Sequence, residues 1–179
     1  MLYKFLSGLA KGVTHCIFRV KVVGKENVPK DGGMILAVNH KSNWDPIFAG
    51  AYCPRPLRFM AKADLFKNKL FGGLIKKLGA FPIQRGRGDI GAIKGAFSIL
   101  KNNDAMLIFP EGHRIKNGKR VKAKLGVSMI AVYAKVPVIP LCISGEYKPF
   151  HKVTVTFGEP ITFEEYYGKK PDNETLQTL

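Results

Sequence analysis

A chain of 179 residues, 46% of them hydrophobic, suits one domain with a sizeable core and is too apolar to stay disordered. Its 29 Lys and Arg against 13 Asp and Glu give a formal net charge of +16. That charge calls for a polyanionic partner and leaves open whether it is nucleic acid, an anionic membrane or a phosphorylated substrate.

Residues 1–17 place Leu2, Phe5, Leu6, Leu9, Val13 and Ile17 at helical spacing, with Lys4 and Lys11 off the stripe. Two readings stand for this helix. It docks on the core, or it lies in a membrane interface with lysines near the headgroups. The charges, and the lack of a small-residue cleavage site, argue against a secretory signal. No apolar run reaches the ~18 residues of a transmembrane helix. Cys16, Cys53 and Cys142 form no CxxC pair and no metal-ligand spacing, so ordinary buried thiols in a reducing compartment are expected.

Residues 18–23 alternate as a strand, and 27–33 are turn material. Residues 34–38 form a short, continuously apolar run of the kind that fills a buried strand. A helix is expected from Pro46. Further strands are expected at 57–60, 80–83, 105–109, 137–143 and 152–157, with helices at 67–78, 89–101 and 122–134 between them. This alternation predicts an α/β sandwich on a mixed, largely parallel sheet. Residues 171–179 look like the start of a helix that stops early.

Ligands in open α/β sheets bind beyond the carboxyl ends of the strands, so polar residues there come first as site candidates. After the strand at 34–38 comes Asn39-His40-Lys41-Ser42-Asn43-Trp44-Asp45-Pro46. Activating a hydroxyl as a nucleophile needs a base with a pKa near neutrality, which suits histidine, and a carboxylate on the other ring nitrogen would fix its tautomer. On a continuous helix His40 and Asp45 would stand about 140° apart, so they meet only if the chain turns between them. Pro46 favours such a turn by disfavouring the α region for Asp45. Taken singly, Asp45 also reads as a helix N-cap with Pro46 at N1, and His40 as a solvated loop histidine. Two other strand ends carry charge: Phe109-Pro110-Glu111-Gly112-His113-Arg114, and Phe81-Pro82-Ile83-Gln84-Arg85.

In this order the segments resemble the glycerolipid acyltransferase family, in particular the bacterial enzymes that acylate 1-acyl-glycerol-3-phosphate. Asn39, His40 and Asp45 match an Asn-His-x4-Asp block, and 81–85 match a block of apolar residues ending in arginine. Phe109, Pro110, Glu111, Gly112 and Arg114 match Phe-Pro-Glu-Gly-Thr-Arg-Ser. Lys124-Leu125-Gly126 matches Lys-x-Gly, and Val138-Ile139-Pro140-Leu141 matches an apolar block with proline. His113 and Ile115 depart from the pattern, standing where the family has threonine and serine.

The resemblance implies the family's mixed, largely parallel sheet flanked by helices, with residues 1–17 as a membrane-interface helix and 18–179 as the acyltransferase domain. It implies His40 as general base with Asp45 as its partner, and Arg85 and Arg114 on the acceptor phosphate. Glu111 and Gly112 would organise the acceptor, Lys124 would face phosphate or the thioester oxygen, and Asn39 and His113 have no settled role. Lysophosphatidic acid would be acylated to phosphatidic acid from acyl-CoA or acyl-carrier protein, without metal or cofactor. The enzyme would sit on the cytoplasmic face of the membrane, peripheral or monotopic. Glycerol-3-phosphate or another lysolipid is the alternative acceptor. A basic nucleic-acid-binding domain is a distant rival, and no nucleic acid is expected because no RNA-binding signature accompanies the lysines.

Overall fold

The computed structural model of the protein describes residues 2–83, 90–115 and 122–179. One seven-stranded sheet runs in the order β1-β7-β6-β2-β5-β3-β4. The strands are β1 (Arg19–Val23), β2 (Met34–Val38), β3 (Leu57–Lys62), β4 (Ala80–Ile83), β5 (Ala105–Ile108), β6 (Val138–Gly145) and β7 (Lys152–Phe157). β6, β2, β5, β3 and β4 are mutually parallel, whereas β7 is antiparallel to β6 and β1 is parallel to β7. The sheet is therefore mixed and largely parallel, as the alternation of elements predicts.

The helices are α1 (Leu2–Ile17), α2 (Asp45–Tyr52), α3 (Lys69–Lys77), α4 (Ile90–Lys101), α5 (Gly126–Ala134) and α6 (Asn173–Thr178). β2 is apolar throughout because both its faces are covered. Met34, Leu36 and Val38 enter the core shared with Phe48, Ala49 and Tyr52 of α2. Ile35 enters the opposite core, with Ala96 and Leu100 of α4 and Ile130, Ala131 and Val132 of α5.

α1 rests on α2 through small and hydroxyl-bearing residues. The Ser7 hydroxyl donates to the carbonyls of Gly50 at 3.1 Å and Ala51 at 3.3 Å, and Thr14 Oγ1 lies 2.7 Å from the Tyr52 hydroxyl. The Tyr3 hydroxyl accepts the Leu57 amide at 3.1 Å. Leu2, Phe5, Leu9 and Val13 face outward and are exposed. The apolar stripe expected from the sequence is thus two faces: Leu6 and Ile17 turn partly inward, and the other four form the outer side.

Among the described residues no helix is long and apolar enough to cross a membrane.

Candidate active site

β2 and β5 are paired with Ala37 opposite Ile108, so the segments after them leave the sheet side by side at the carboxyl edge. Asn39 fixes the first exit. Its side-chain amide donates to the Ile143 carbonyl at 3.1 Å and accepts the Ile143 amide at 2.7 Å, imitating a strand partner on β6. His40 follows directly and stacks on Phe109, with ring centroids 3.9 Å apart and planes 20° from parallel. The His40 carbonyl accepts the Ile115 amide at 2.8 Å, tying the two loops together.

The chain then turns through residues 41–44 and brings Asp45 back to His40. His40 Nδ1 donates to Asp45 Oδ2 at 3.1 Å, and the same oxygen accepts the amides of Lys41 at 2.6 Å and Ser42 at 2.7 Å. Oδ1 accepts the Tyr147 hydroxyl. The turn differs in place from the one expected. Asp45 is already the first residue of α2, Trp44 is the cap residue, and the Asp45 carboxylate bonds backward to the loop instead of capping its own helix. Because the bend is made upstream and Asp45 is already inside the first turn, its carboxylate is free for the loop amides and the histidine.

Asp45 is fully buried and His40 keeps 14% side-chain exposure. Burial alone would raise the Asp45 pKa, but bonds from His40, Tyr147, Ser42 and Lys41 outweigh it and hold the carboxyl below the usual range. Burial first, then the hydrogen bond to Asp45 and its negative charge, push the Tyr147 phenol far above its usual value, so it remains a proton donor. With Nδ1–H committed to Asp45, the second ring nitrogen, Nε2, is the one left to take a proton. Nothing among the described residues bonds to it.

On the β5 side, Glu111 is buried and its Oε2 has no hydrogen-bond partner among the described residues. An enclosed carboxylate oxygen without a donor marks a place completed by something else, because buried acceptors are almost always satisfied. Next to it, Gly112 has φ +71, a conformation L side chains rarely adopt, and the Lys124 side chain lies over it; a Cβ would lie 2.8 Å from Lys124 Nζ. Lys124 is held there by its own amide, which donates to the Pro110 carbonyl at 2.9 Å. Arg114 donates to Asn43 Oδ1 at 2.9 Å, so its guanidinium sits on the His40–Asp45 loop. A base, its carboxylate, a buried acid and two cations thus share one edge of the sheet.

A family model described as Acyltransferase matches residues 19–144. This chain belongs to the acyltransferase family. The 1-acyl-sn-glycerol-3-phosphate acyltransferase of Bacillus subtilis (strain 168) is 32% identical to it, over 99% of this chain and 91% of that protein. The enzyme of the same name from Streptococcus pneumoniae (strain ATCC BAA-255 / R6) is 34% identical, over 100% of this chain and 69% of that protein. The crystal structure of the 1-acyl-sn-glycerophosphate (LPA) acyltransferase of Thermotoga maritima has the same fold. It superposes with a TM-score of 0.76 at 27% identity, over 98% of this chain and 74% of that one.

Of the residues the sequence motifs single out, His40, Asp45, Asn39, Glu111, Gly112, Arg114 and Lys124 lie at one edge of the sheet. Arg85 lies outside the described residues. His113 is exposed and makes no hydrogen bond to a described residue. The Gly112 amide, a candidate oxyanion donor, is occupied by the Phe109 carbonyl at 3.0 Å and does not serve that purpose here. Tyr147 is the partner of the His40–Asp45 pair that the motifs leave out, and Phe109, though inside a matched block, has no role there that foretells its stacking on His40. Lys41 was passed over as well; its Nζ donates to the Gly145 carbonyl at 2.6 Å and lies 4.8 Å from the centre of the Tyr147 ring. Lys62 ends β3 at the same edge and pairs with Asp64. Among the described residues no group of three or more His, Cys, Asp or Glu gathers as a metal site would require.

Proposed function

We propose that the protein transfers a fatty acyl group from a thioester donor, acyl-CoA or acyl-carrier protein, to the free hydroxyl of 1-acyl-glycerol-3-phosphate, making phosphatidic acid. The observation that carries the chemistry is the 3.1 Å bond from His40 Nδ1 to a fully buried Asp45. It fixes the tautomer in which Nε2 is basic and stabilises the imidazolium formed when the proton arrives. The names of the relatives support the acceptor.

The acceptor hydroxyl gives its proton to His40 Nε2 as its oxygen attacks the acyl carbonyl carbon. The tetrahedral oxyanion collapses, the carbon–sulfur bond breaks, and the thiolate takes the proton back from His40. Arg114 and Arg85 hold the acceptor phosphate, which the rigid guanidinium fork suits. Lys124 lies over Gly112 as a further cation for phosphate or oxyanion. The enclosed Glu111 carboxylate accepts a hydrogen bond from the acceptor and so orients it. The reaction runs by direct transfer, with no metal, cofactor or acyl-enzyme.

The enzyme works at a membrane surface, held peripherally by the outer face of α1 on the cytoplasmic side. Exposed Leu2, Phe5, Leu9 and Val13 support that seat, as do Lys4 and the net charge of +16. The cytoplasmic side fits three free cysteines and donors carried on thiols.

Thioester release measured with defined donors and with lysophosphatidic acid, glycerol-3-phosphate and a non-phosphorylated monoacylglycerol tests the reading. His40→Ala is expected to abolish release while thermal unfolding remains cooperative. Activity near wild type would remove His40 as base, and preference for the non-phosphorylated acceptor would remove the assignment of the arginines.

A further inference from the structure

β3 ends at the reacting edge, and the chain there makes a 3-10 turn, Ala63–Phe66, before α3. Asn68 caps α3, its Oδ1 accepting the amides of Leu70 at 3.1 Å and Phe71 at 3.0 Å. The inward side of α3 is narrow. Ile75 packs with Ala61 and Ala80, and Gly72 touches the turn so closely that a Cβ would lie 2.8 Å from Phe66 Cα. That contact sets the roll of the helix and leaves its longer apolar residues outside. Leu70 is 88% exposed, and Phe71 and Leu74, with Leu65 on the turn, are exposed too. Lys67, Lys69, Lys76 and Lys77 are exposed around them, and the acid of the segment, Asp64, is taken up by Lys62 and Lys67.

This surface belongs to the side of the molecule that carries α1. Phe59 packs both into the core beneath α2 and into the small core beneath α3, so α2 and α3 cover the same face of the sheet. α1 lies on α2 with its apolar stripe outward. α3 begins at the edge where His40 stands, so Leu70 and Phe71 are near the end of the helix closest to the reaction.

We infer that residues 63–77 form a second membrane contact, with Leu65, Leu70, Phe71 and Leu74 entering an anionic bilayer and the surrounding lysines among its headgroups. The pairing of apolar side chains with a lysine rim is what an anionic lipid surface complements. The inference rests on the membrane seat of α1 proposed above and adds what one helix cannot supply. A single interfacial helix leaves the body free to roll about its axis. A second contact across the same face fixes that roll and holds the reacting edge at a set height over the lipid.

Exposed Cys16 lies on the outer stripe of α1, about 40° around the helix from Leu2, and serves as a reporter there. One protein carries Cys142→Ser and a polarity-sensitive fluorophore on Cys16. A second carries Cys16→Ser, Cys142→Ser and Leu70→Cys, labelled at position 70. Both are mixed with vesicles of phosphatidylcholine alone or with phosphatidylglycerol, containing spin-labelled lipid as quencher. Both labels are expected to shift to the blue and be quenched on the anionic vesicles. Leu70→Ser with Phe71→Ser should weaken sedimentation with those vesicles about tenfold, with activity on a short-chain, water-soluble acceptor retained as the check on folding. A label at position 70 that stays in water while the one on Cys16 is quenched overturns the second contact and leaves the seat of α1 standing. If neither label is quenched, both fall.

Discussion

The two oxygens of Asp45 divide their work. Oδ2 takes His40 and two loop amides, and Oδ1 takes the Tyr147 hydroxyl, so the carboxylate is bonded on both sides and cannot rotate away from the histidine. Asp45→Asn keeps the shape but sets an amide against these donors, so transfer should fall sharply and urea unfolding at neutral pH should show a loss of about 2 kcal/mol or more. The pH dependence follows from the direction of the shift. The Asp45 pKa is lowered in the folded state, so its stabilisation is present above the ordinary value of 3.8 and disappears as pH falls through the lower folded value. The stability gap between wild type and Asp45→Asn should therefore close on acidification below that value; a constant gap would contradict this account.

Tyr147→Phe is a finer cut. Its ring remains among Phe18, 6.0 Å away, and Phe48, 5.6 Å away, while the bond to Oδ1 is lost. Stability should drop by about 1.5–3 kcal/mol, the range for a hydrogen bond to a charged group. On the proposed mechanism turnover should fall with little change in the KM for donor, because the Tyr147 hydroxyl is spent on the Asp45 carboxylate. An unchanged kcat would assign Tyr147 to packing alone. His40 and Asp45 could be read as a pair because they are five residues apart, whereas Tyr147 reaches Asp45 across 102 residues from the loop after β6. Nor does any local pattern show that Glu111 is enclosed, since its burial depends on how the loop after β5 folds over it.

Among the elements, α1 shows where periodicity stops being informative. A stripe of apolar residues marks a face but not which way it turns, and here the face that docks is the one with Ser7 and Thr14. The two sides should respond oppositely. Phe5→Ser with Leu9→Ser should reduce sedimentation with anionic vesicles and leave the unfolding midpoint nearly unchanged. Thr14→Val should lower stability by about 1 kcal/mol through loss of the Thr14–Tyr52 bond, the Tyr52 hydroxyl keeping His15 Nδ1 at 2.9 Å, and leave vesicle binding intact. The reverse pattern would put the stripe against the core. The parallel strands β2 to β6 were legible because a helix stands between each and the next along the chain, which forces a crossover. The reversed β1 and β7 were not, since strand order depends on pairing between residues such as Arg19 and Lys152 that no local window joins. The start of α5 was expected at residue 122 and lies at Gly126. The extended residues before it carry Lys124 back to Pro110 and Gly112, a tertiary demand that overrides helical propensity.

For the whole molecule, the proposed membrane attachment would draw on the net charge of +16 and on the apolar side formed by α1 and α3 by different physics. Attraction of lysines to anionic lipid is screened over about 8–10 Å at ordinary salt, whereas burial of Phe5 or Leu70 side chains in the acyl boundary is not weakened by salt. On the roles proposed for Arg114 and Lys124, the acceptor phosphate also meets cations in the active site, so salt would slow the reaction even without a membrane. A ratio separates the two effects. The rate on lysophosphatidic acid embedded in vesicles is divided by the rate on a short-chain acceptor with the same phosphate, dissolved in water. Salt acting at the site affects both rates and cancels. Salt acting on attachment affects the first alone. The ratio should be larger on phosphatidylglycerol-containing vesicles than on phosphatidylcholine and should fall with added salt toward the phosphatidylcholine value, where apolar contact remains. A ratio indifferent to both lipid charge and salt would mean that the excess of lysine and arginine serves the soluble substrates and has no part in bringing the enzyme to the membrane.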